Sequence, residues 1–564
     1  MQLVSIAVSP ADATIAVESG VAMPLTYSAV GTFADGHQAP IADATFALDD
    51  AAQKLAALSG AQLTASGTAA GKGQVSASSG GVTGATSVTV TVHDVHVDPS
   101  APADAPTKFS GAAMTGSFSP LIDYPLDGAV MPSTVKAPDV QWEGNANAGD
   151  LYRVKLVAGG ATVESYLANA AGFTFESQPL AADWALLLAS SNGQPIAVTV
   201  DHYDPQTGVQ GSQAVSVRPI TANVTGVIYY WDLSEGKMQR LDASGRALAI
   251  PSPPVSPNPT EAGDRCVACH EISRDGRYLA AELWGGGDGS AVFDLSSPNI
   301  NADPAPTLAP LNSYSSLFAT FNPDASRLLI NSGNALGLID PKNGMSLATS
   351  GTPLPTANAA HPTWSPDGSL IAFITNTDGP WAVDYTQGDV ATIPVTGPDT
   401  FGPAQTLVAS STGDPAFKAP SWPSFTPDSQ FIAYAAGTNS RGRNSVGTPP
   451  TEVVYPGALF LVNRSGGAPV KLDGACSSQS DCYLPNFSPY DSGGYFWMVF
   501  YSLRDYGNAQ AGTKGTKRRQ LWVTAIDKSK LGSGDPSSVP YWLPDQDPKT
   551  ENMSAFWAVP PPLQ

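Results

Sequence analysis

The feature that most constrains the fold is a short turn sequence that recurs along the second half of the chain. In each copy an apolar strand precedes a turn, usually Pro-Asp, and another apolar strand follows it. The copies lie at residues 270–276, 319–324, 362–368, 423–428 and 485–489. Proline fixes φ, and the polar turn residues separate two buried strands. A unit repeated in this way predicts a repeat architecture.

A second apolar segment follows each turn and ends in an acidic or polar residue. These segments are residues 291–295, 336–340, 458–463 and 521–527, with 381–384 as a weaker case and 228–232 lacking a turn before it. About six blades of four strands, a β-propeller, account for both classes of segment. We expect residues 552–559 to supply the missing inner strand of the first blade and to remove a free sheet edge. Phe556 and Trp557 would then be buried.

The repeats resemble the TolB-like propeller family, whose blades carry the turn Trp-Ser-Pro-Asp-Gly present here at residues 364–368. The resemblance covers roughly residues 224–560. It implies a six-bladed propeller at residues 223–564, in which the inner strands begin around one rim of a central channel.

The amino-terminal part alternates apolar and polar residues in short runs, which is typical of β-sandwiches. Residues 1–97 resemble bacterial immunoglobulin-like (BIG2-like) domains through the runs 31–36 and 63–68. Residues 98–109 have the composition of an extended Pro/Ala linker, and residues 110–222 resemble fibronectin-type modules. The predicted fold class is all-β, with two immunoglobulin-like β-sandwiches before a six-bladed TolB-like β-propeller. In the first family such modules are spacers or adhesive units.

Composition excludes some functions. The 564 residues carry a formal net charge of −21, which argues against a nucleic-acid partner because phosphate binding requires a basic surface. No apolar run is long enough to predict a transmembrane segment. His93, Asp94 and His96 could bind a metal, although the solvated end of a strand explains them as well.

The earliest turn copy also contains a cofactor motif. Cys266, Cys269 and His270 form C-x-x-C-H, the spacing at which two thiols bond to haem vinyl groups and the histidine ligates the iron. Proline-rich residues 251–259 precede the motif and predict an exposed approach for the attachment machinery. The motif predicts one covalent haem c, with a C-x-x-C disulfide or a partial metal site as the alternatives.

The remaining two cysteines, Cys476 and Cys482, bracket a polar loop suited to a small disulfide ring. A disulfide fits an oxidising compartment. A zinc site made from all four cysteines is the alternative, but no second C-x-x-C or H-x-x-H accompanies Cys476. Because haem attaches to this motif outside the cytoplasmic membrane, we expect an exported protein, extracellular, at the cell surface or periplasmic, whose export signal is missing from this sequence.

Two residues are candidates for the sixth position of the iron. His361 opens another inner strand, so it could face His270 across the channel rim. Met553 would start the inner strand next to the blade that carries His270, and a thioether ligand would raise the reduction potential. Each has a structural alternative, since His-Pro also precedes this turn in haem-free relatives and methionine is a common core residue. Met238, Met345 and Met498 are more remote candidates.

Arginines flank the motif. Arg265 and Arg274 could pair with the haem propionates, because a guanidinium suits carboxylates, and Arg274 replaces the proline of the other turns. Lys514, Lys517, Arg518 and Arg519 form a basic run, which predicts a solvated loop or a docking surface for an acidic redox partner.

These observations favour an exported monohaem c-type cytochrome that transfers electrons to a redox partner protein, such as another cytochrome. The sandwiches would hold the propeller away from a surface or assemble with further copies. A haem peroxidase with an open sixth position is the enzymatic alternative, and it is less favoured. A binding or assembly module with a purely structural haem is the third.

Overall fold

The computed structural model describes two compact units. Its described residues are 2–111, 113–144, 147–222, 224, 226–242, 244–256, 265–284, 289–412, 414–442, 456–477 and 480–561. Unit 1 comprises Met1–Thr221 and Gly507–Ala511, and unit 2 comprises Ala222–Tyr506 and Gly512–Gln564. Among the described residues, no helix has both the length and the apolar character needed to span a bilayer.

Unit 1 is built from short strands in one large sheet and three small ones. The large sheet contains Ala13–Glu18, Val21–Ala22, Thr45–Leu48, Gly71–Ser79, Val82–Val97, Ala129–Pro132, Leu151–Ala158, Ala161–Ala168, Ile196–Asp204, Gly208–Gly211 and Val215–Ile220. The small sheets contain Leu3–Ser9, Ser28–Phe33 and Gln38–Pro40; Leu25–Thr26, Gln62–Ala65 and Ala56–Ser59; and Leu121–Tyr124, Val140–Glu143 and Glu176–Ser177.

The two segments predicted as separate sandwiches share the large sheet. The end of Val82–Val97 pairs in parallel with Ala161–Ala168, so one set of hydrogen bonds crosses the predicted boundary. The predicted linker is packed here rather than extended, because it contains the short helix Ala105–Lys108 and buries Phe109 beside Tyr166. Residues 1–221 therefore belong to one compact unit.

Unit 1 also contains helices that the sequence reasoning did not predict. Asp50–Leu55 is one turn and a half, capped by the Asp49 carboxylate. Ala181–Ser191 is longer, and it ends at Asn192 in the left-handed conformation that commonly terminates helices. The longer helix buries Trp184, Leu186 and Leu187.

Unit 2 contains six sheets in chain order within the described residues, named blades 1 to 6 here. Blade 1 consists of Val227–Asp232, Lys237–Asp242, Gly245–Leu248 and Asn552–Ala558; blade 2 of Val267–Ile272, Tyr278–Leu283 and Gly289–Asp294; and blade 3 of Phe318–Phe321, Leu328–Ser332 and Ala335–Ile339. Blade 4 consists of Ser350–Gly351, Ala360–Trp364, Leu370–Thr375, Asp389–Gly397, Thr400–Phe401 and Gln405–Val408; blade 5 of Ala419–Phe425, Phe431–Gly437, Gly457–Asn463 and Val470–Lys471; and blade 6 of Cys482–Ser492, Tyr495–Ser502, Gln520–Asp527 and Tyr541–Trp542.

The six blades close into a ring. The innermost strand of each blade contacts the innermost strands of both neighbours, and blade 6 contacts blade 1 in the same way. The predicted closure of blade 1 is confirmed, because Asn552–Ala558 pairs antiparallel with Val227–Asp232. Phe556 and Trp557 are only partly buried. Unit 2 is thus a six-bladed β-propeller.

The recurring turn is stabilised by an aspartate in the copies of blades 2 to 5, whereas the blade 6 copy has Tyr490 at that position. In blade 4 the Ser365 hydroxyl donates to Asp367 (2.7 Å), which also accepts the backbone N–H of Ser369 (2.9 Å). In blade 5 the hydroxyl of Thr426 donates to Asp428 in the same way (2.6 Å). Burial alone would raise the pKa of Asp367, but these hydrogen bonds hold that pKa below its usual value. The Ser/Thr-x-Asp spacing of the repeat follows from this bonding.

Two details of the propeller differ from prediction. Residues 381–384 are not a strand, because the Asp378 carboxylate accepts the N–H groups of Thr386 and Gln387 and folds the segment into a loop. Blades 2 and 3 have three strands rather than four among the described residues. Pro304, Pro306 and Pro310 follow blade 2, and proline cannot donate to a further ladder.

Candidate functional site

The inner strands are interrupted by bulges at one level of the channel. The strand register shifts within the inner strands of four blades, at residues 267–270, 360–363, 421–424 and 483–486 of blades 2, 4, 5 and 6. In blade 1 the register of the inner strand Asn552–Ala558 shifts where it pairs with residues 229–231. Four residues at these bulges have positive φ: His361 (48°), Trp422 (55°), Leu484 (51°) and Ser554 (53°). Such conformations are uncommon for residues other than glycine, and bulges redirect side chains.

When the blades are aligned on their turns, one residue of each blade lies at the level of the bulges. We call this set the channel ring, and it consists of Cys269, Phe318, His361, Trp422, Leu484 and Ser554. His361 therefore corresponds to Cys269, and the counterpart of His270 in blade 4 is Pro362. The prediction that His270 and His361 open their strands alike is wrong by one residue.

Three cavities follow one another along the channel. The rim cavity, about 210 Å³, is lined by Ala268, Cys269, Glu282, Met553 and Ser554, together with Trp231, Trp381, Trp422, Arg441 and Arg519. The central cavity, about 50 Å³, is lined by His270, Glu271, Phe318, His361 and Phe556 among others. The turn-end cavity, about 100 Å³, contains Arg274 and the prolines of the recurring turns.

The motif cysteines are not joined to each other. Cys266 and Cys269 form no disulfide, whereas Cys476 and Cys482 do, which confirms the predicted disulfide. The zinc alternative that requires all four thiols is therefore wrong. Burial and a hydrogen bond to Glu282 raise the pKa of the Cys269 thiol well above its usual value. Residues 257–259 of the proline-rich approach lie outside the described residues.

His270 is buried without a hydrogen-bond partner of normal geometry for either ring nitrogen among the described residues. The centroids of its ring and of the Phe556 ring are 5.0 Å apart, in an edge-to-face arrangement. Burial lowers the pKa of His270 to about 3, although the nearby backbone of Ala268, Tyr229 and Ser554 opposes the shift. The imidazole is neutral at ordinary pH, which is the form that ligates metals.

His361 is held firmly by its neighbours. Its ring stacks on that of Trp422 with the ring centroids 3.9 Å apart, and it meets the Phe318 ring edge-to-face with the centroids 4.5 Å apart. The Tyr385 hydroxyl lies 3.1 Å from His361 Nδ1 and donates to the Pro420 carbonyl at 2.7 Å. Because the hydroxyl proton is donated to the Pro420 carbonyl, Nδ1–H of His361 donates to the Tyr385 oxygen. The backbone N–H of Trp422 lies further from Nδ1, at 3.5 Å. Nε2 is then a buried lone pair with no hydrogen-bond partner among the described residues.

The two candidates for the sixth position line different cavities. His361 lines the central cavity with His270, whereas Met553 lines the rim cavity with Cys269. Burial lowers the pKa of His361 to about 3, so it too is neutral at ordinary pH. Met238 and Met498 are buried inside blades 1 and 6, and Met345 is exposed. Both leading candidates thus lie beside a residue of the motif.

Neither arginine that flanks the motif lines the cavity that contains Cys269. Arg265 is ion-paired to Asp303 (2.6 Å) and lines none of the three cavities described above, and Arg274 lines the turn-end cavity. Arg519 belongs to the basic run predicted as a solvated loop, yet its side chain is 3% exposed and paired with Glu551 at 3.2 Å. Arg519 and Arg441 line the rim cavity with Cys269.

The histidines of unit 1 are held by carboxylates. His93 lies 3.0 Å from Glu18 and 3.3 Å from Glu164, and His96 lies 3.0 Å from Asp183. No group of three His, Cys, Asp or Glu side chains in the described part of the chain has the arrangement of a metal site.

Sequence reasoning missed several residues around the motif, namely Phe318, Trp422, Tyr385, Glu282 and Arg441. Phe318 and Trp422 could have been found by aligning the repeats, since they occupy the position of Cys269 and His361. Tyr385 and Arg441 come from loops outside the repeat, and no local pattern in the sequence marks them.

No protein-family model matches the chain, and the curated proteins compared with it give no match either. Solved structures similar to part of it include a TolB of Agrobacterium tumefaciens, with 15% identity over 59% of this chain and 99% of that one and a TM-score of 0.30. A nidogen/laminin complex has 10% identity over 59% of this chain and 98% of that one, with a TM-score of 0.34. The Dos1 propeller has 9% identity over 58% of this chain and 81% of that one, with a TM-score of 0.31.

Those TM-scores are too low for the likenesses to carry an argument. The assignment of unit 2 rests instead on its own strand order and on the closed ring of inner strands. The fold and the site define a six-bladed propeller in whose channel the Cys269 thiol and the buried neutral His270 line neighbouring cavities.

Proposed function

We propose that this protein is an exported c-type cytochrome that carries electrons through one covalently attached haem. The observation that carries the proposal is the state of the motif. His270 is buried and neutral with no hydrogen-bond partner of normal geometry among the described residues, and two thiols outside any disulfide precede it. A buried polar group without a partner requires an explanation, and ligation of a metal is one.

The residues of the motif fit haem c in their chemistry. The rim cavity beside Cys269 has a volume of about 210 Å³, below the range of about 300–1,000 Å³ for cofactor and small-molecule sites, so a haem bound here would extend beyond it. Cys266 and Cys269 would hold the porphyrin by thioether bonds. Each thiol adds across one vinyl double bond, forming a C–S bond while its hydrogen passes to the adjacent carbon, so that no oxidant is needed. His270 would ligate the iron.

When bound, haem c supplies an iron that changes between ferric and ferrous by one electron, taken from a donor protein and passed to an acceptor. The chain's own part is to fix the ligand, exclude water and set the potential. Phe318 and Trp422 form an apolar wall between the rim and central cavities. An apolar surround and the axial ligand are two of the levers that determine the potential of a haem.

Electron transfer is tested by loading the protein. Expression with export and the cytochrome c maturation machinery is expected to give one haem per chain that survives denaturation and is reversibly reduced. Fast exchange with a partner cytochrome would distinguish an electron carrier from a structural haem. A low-spin spectrum unchanged by cyanide or peroxide is expected, and rapid cyanide binding would instead favour the peroxidase. A chain matured in this way without covalent haem would refute the proposal.

The sixth ligand is open to a direct test with two alanine variants. His361→Ala and Met553→Ala each remove one candidate, and the variant that lost the ligand is expected to change from low spin to high spin and to bind cyanide. If Met553 is the ligand, its loss also lowers the potential, since a thioether ligand raises it. Met238→Ala is the matched control, because Met238 is buried within blade 1 away from the channel. Two unchanged spectra would show that neither residue ligates the iron.

The setting of the site supports export. The disulfide between Cys476 and Cys482 is typical of oxidising compartments. The redox partner we propose is a protein that meets a strongly acidic surface, since the chain has a net charge of −21. The immunoglobulin-like character of unit 1 remains a proposal, with the role of a spacer or an assembly module.

A further inference from the structure

We propose that a cavity in unit 1 is a binding site for a neutral oligosaccharide. This unit 1 cavity has a volume of about 430 Å³, within the range of about 300–1,000 Å³ for small-molecule sites and larger than the three channel cavities. Every residue that lines it belongs to unit 1, and none belongs to the haem motif. Binding at this cavity is therefore independent of the proposed haem.

The unit 1 cavity lies where one edge of a small sheet meets the segment Gly507–Ala511. Leu121 begins the first strand of this sheet and pairs with Glu143, which ends the second strand. Phe175 immediately precedes the third strand, Glu176–Ser177. Because neighbouring strands of the sheet are antiparallel, Leu121, Glu143 and Phe175 lie at the same edge and form one wall of the cavity.

Asn508 fastens the segment to this edge. Its side-chain amide donates to the carbonyls of Thr174 and Phe175, each at 2.9 Å. Its side-chain oxygen accepts the backbone N–H groups of Gln510 and Ala511, each at 2.8 Å. Asn508 is buried, so these hydrogen bonds are sheltered from water. They place Gln510 and Phe175 on the same cavity before any ligand binds.

Phe175 adopts a backbone conformation that bulky residues rarely occupy. Its φ is 54°, in the left-handed region. The Phe175 carbonyl also accepts the backbone N–H of Trp142 (3.1 Å), and the two rings pack edge to face with their centroids 6.3 Å apart. Strained residues that their surroundings hold in place in this way cluster at ligand-binding sites, which favours a binding role for the Phe175 ring.

The lining combines aromatic rings with uncharged hydrogen-bonding groups. Phe118 and Phe175 are partly exposed, and the negative face of an aromatic ring attracts the C–H groups on one side of a pyranose. Ser117 and Gln510 are exposed, and a hydroxyl and an amide each offer a donor and an acceptor to sugar hydroxyls. The described residues that line the cavity include no lysine, arginine or histidine, and Glu143 supplies one carboxylate. An anionic ligand is therefore disfavoured, and a neutral polyhydroxy ligand matches both kinds of group.

The rim of the unit 1 cavity is exposed to solvent, which suits a chain of sugars rather than one. Leu121 is 61% exposed, and Ala509 and Gln510 are also exposed. A single bound sugar would leave this rim uncovered. Further units of an oligosaccharide would cover the Leu121 side chain, and burial of apolar surface favours binding.

The test is calorimetric titration of the full chain with cellohexaose, xylohexaose, mannohexaose and maltohexaose, which are all neutral. At least one is expected to bind saturably. Phe118→Ala and Gln510→Ala are each expected to weaken that binding by about fivefold to tenfold, since each removes one contact with the ligand. Leu121→Ala is expected to weaken it less.

The matched controls are exposed residues of unit 1 that do not line the cavity. Gln62→Ala is the control for Gln510→Ala, and Leu180→Ala, at a residue 57% exposed, is the control for Leu121→Ala. Both controls are expected to bind like the parent chain. Because Gln510 is exposed, its variant keeps the test valid if Phe118→Ala does not fold.

Three outcomes would overturn the site. They are no saturable binding of any of the four oligosaccharides, binding that Phe118→Ala and Gln510→Ala both leave unchanged, and saturable binding of choline alone, which would indicate recognition of a cation by the rings and Glu143. The chain with Cys266→Ala and Cys269→Ala is expected to bind the oligosaccharide like the parent chain. Failure of this site and failure of the proposed cytochrome are therefore distinguishable.

Discussion

Replacing Cys266 and Cys269 together with alanine is expected to remove all covalently bound haem from the matured protein. Both thioether bonds require these sulfurs, and Cys476 and Cys482 are already joined in a disulfide. Absorption of the denatured protein and the intact mass measure the effect. Each single variant is expected to retain one thioether bond and a shifted spectrum, because one vinyl group remains unsaturated.

The matched control is the double variant Cys476→Ala and Cys482→Ala. It removes the same number of cysteines from a different part of the propeller, and it is expected to keep its haem. Loss of the disulfide is expected to lower the free energy of unfolding by about 2–4 kcal/mol or less. A haem band that persists after denaturation in the Cys266 and Cys269 double variant would contradict attachment at the motif.

Ending the chain after Glu551 is expected to abolish cooperative unfolding of unit 2. The truncation removes Asn552–Ala558, the inner strand of blade 1, which pairs with Val227–Asp232 and contacts blades 2 and 6. The inner strands of blades 2 and 6 then lose a neighbouring strand, and the unpaired edge of Val227–Asp232 is exposed. We expect a loss comparable to the whole stability of a domain, about 5–15 kcal/mol.

Thermal and denaturant unfolding followed by tryptophan fluorescence measure this loss. A chain that ends after Pro561 is the control, because it keeps the closing strand and is expected to unfold like the full chain. If the chain ending at Glu551 retained the same midpoint and cooperativity, the ring would not depend on its last strand.

The propeller could be predicted from the sequence because its signal is local and repeated. Three of the five turns, in blades 2, 4 and 5, carry the same Ser/Thr-x-Asp bonding, so these copies report the same short-range chemistry. The closing strand could also be predicted, because blade 1 lacked one strand and residues 552–559 had the pattern of an inner strand. The shared sheet of unit 1 could not, since the parallel pairing of Val82–Val97 with Ala161–Ala168 joins distant segments without a repeat.

The helix Ala181–Ser191 was missed for a different reason. Its apolar residues Leu186, Leu187 and Leu188 are adjacent, and a short apolar run does not by itself distinguish a buried strand from a buried helix. Its end at Asn192 was the available signal, since asparagine accepts the left-handed conformation that terminates helices.

The candidate site is marked by a motif in the sequence, whereas its geometry is not. Cys266, Cys269 and His270 stand out in the sequence because of their spacing. Aligning the turns makes Cys269 equivalent to His361, but the bulges beside these residues have no signature in the sequence and are seen only in the strand register. Arg519 looked solvated because its neighbours are basic, and its burial depends on Glu551, which is distant in the sequence.

The closing strand has a consequence for the order of events during biosynthesis. Met553 and Ser554 form one wall of the rim cavity, yet they are made long after Cys266 and Cys269. If haem is attached at this motif as proposed, we expect attachment to precede the docking of Asn552–Ala558, because that strand completes the wall of the cavity that Cys269 lines.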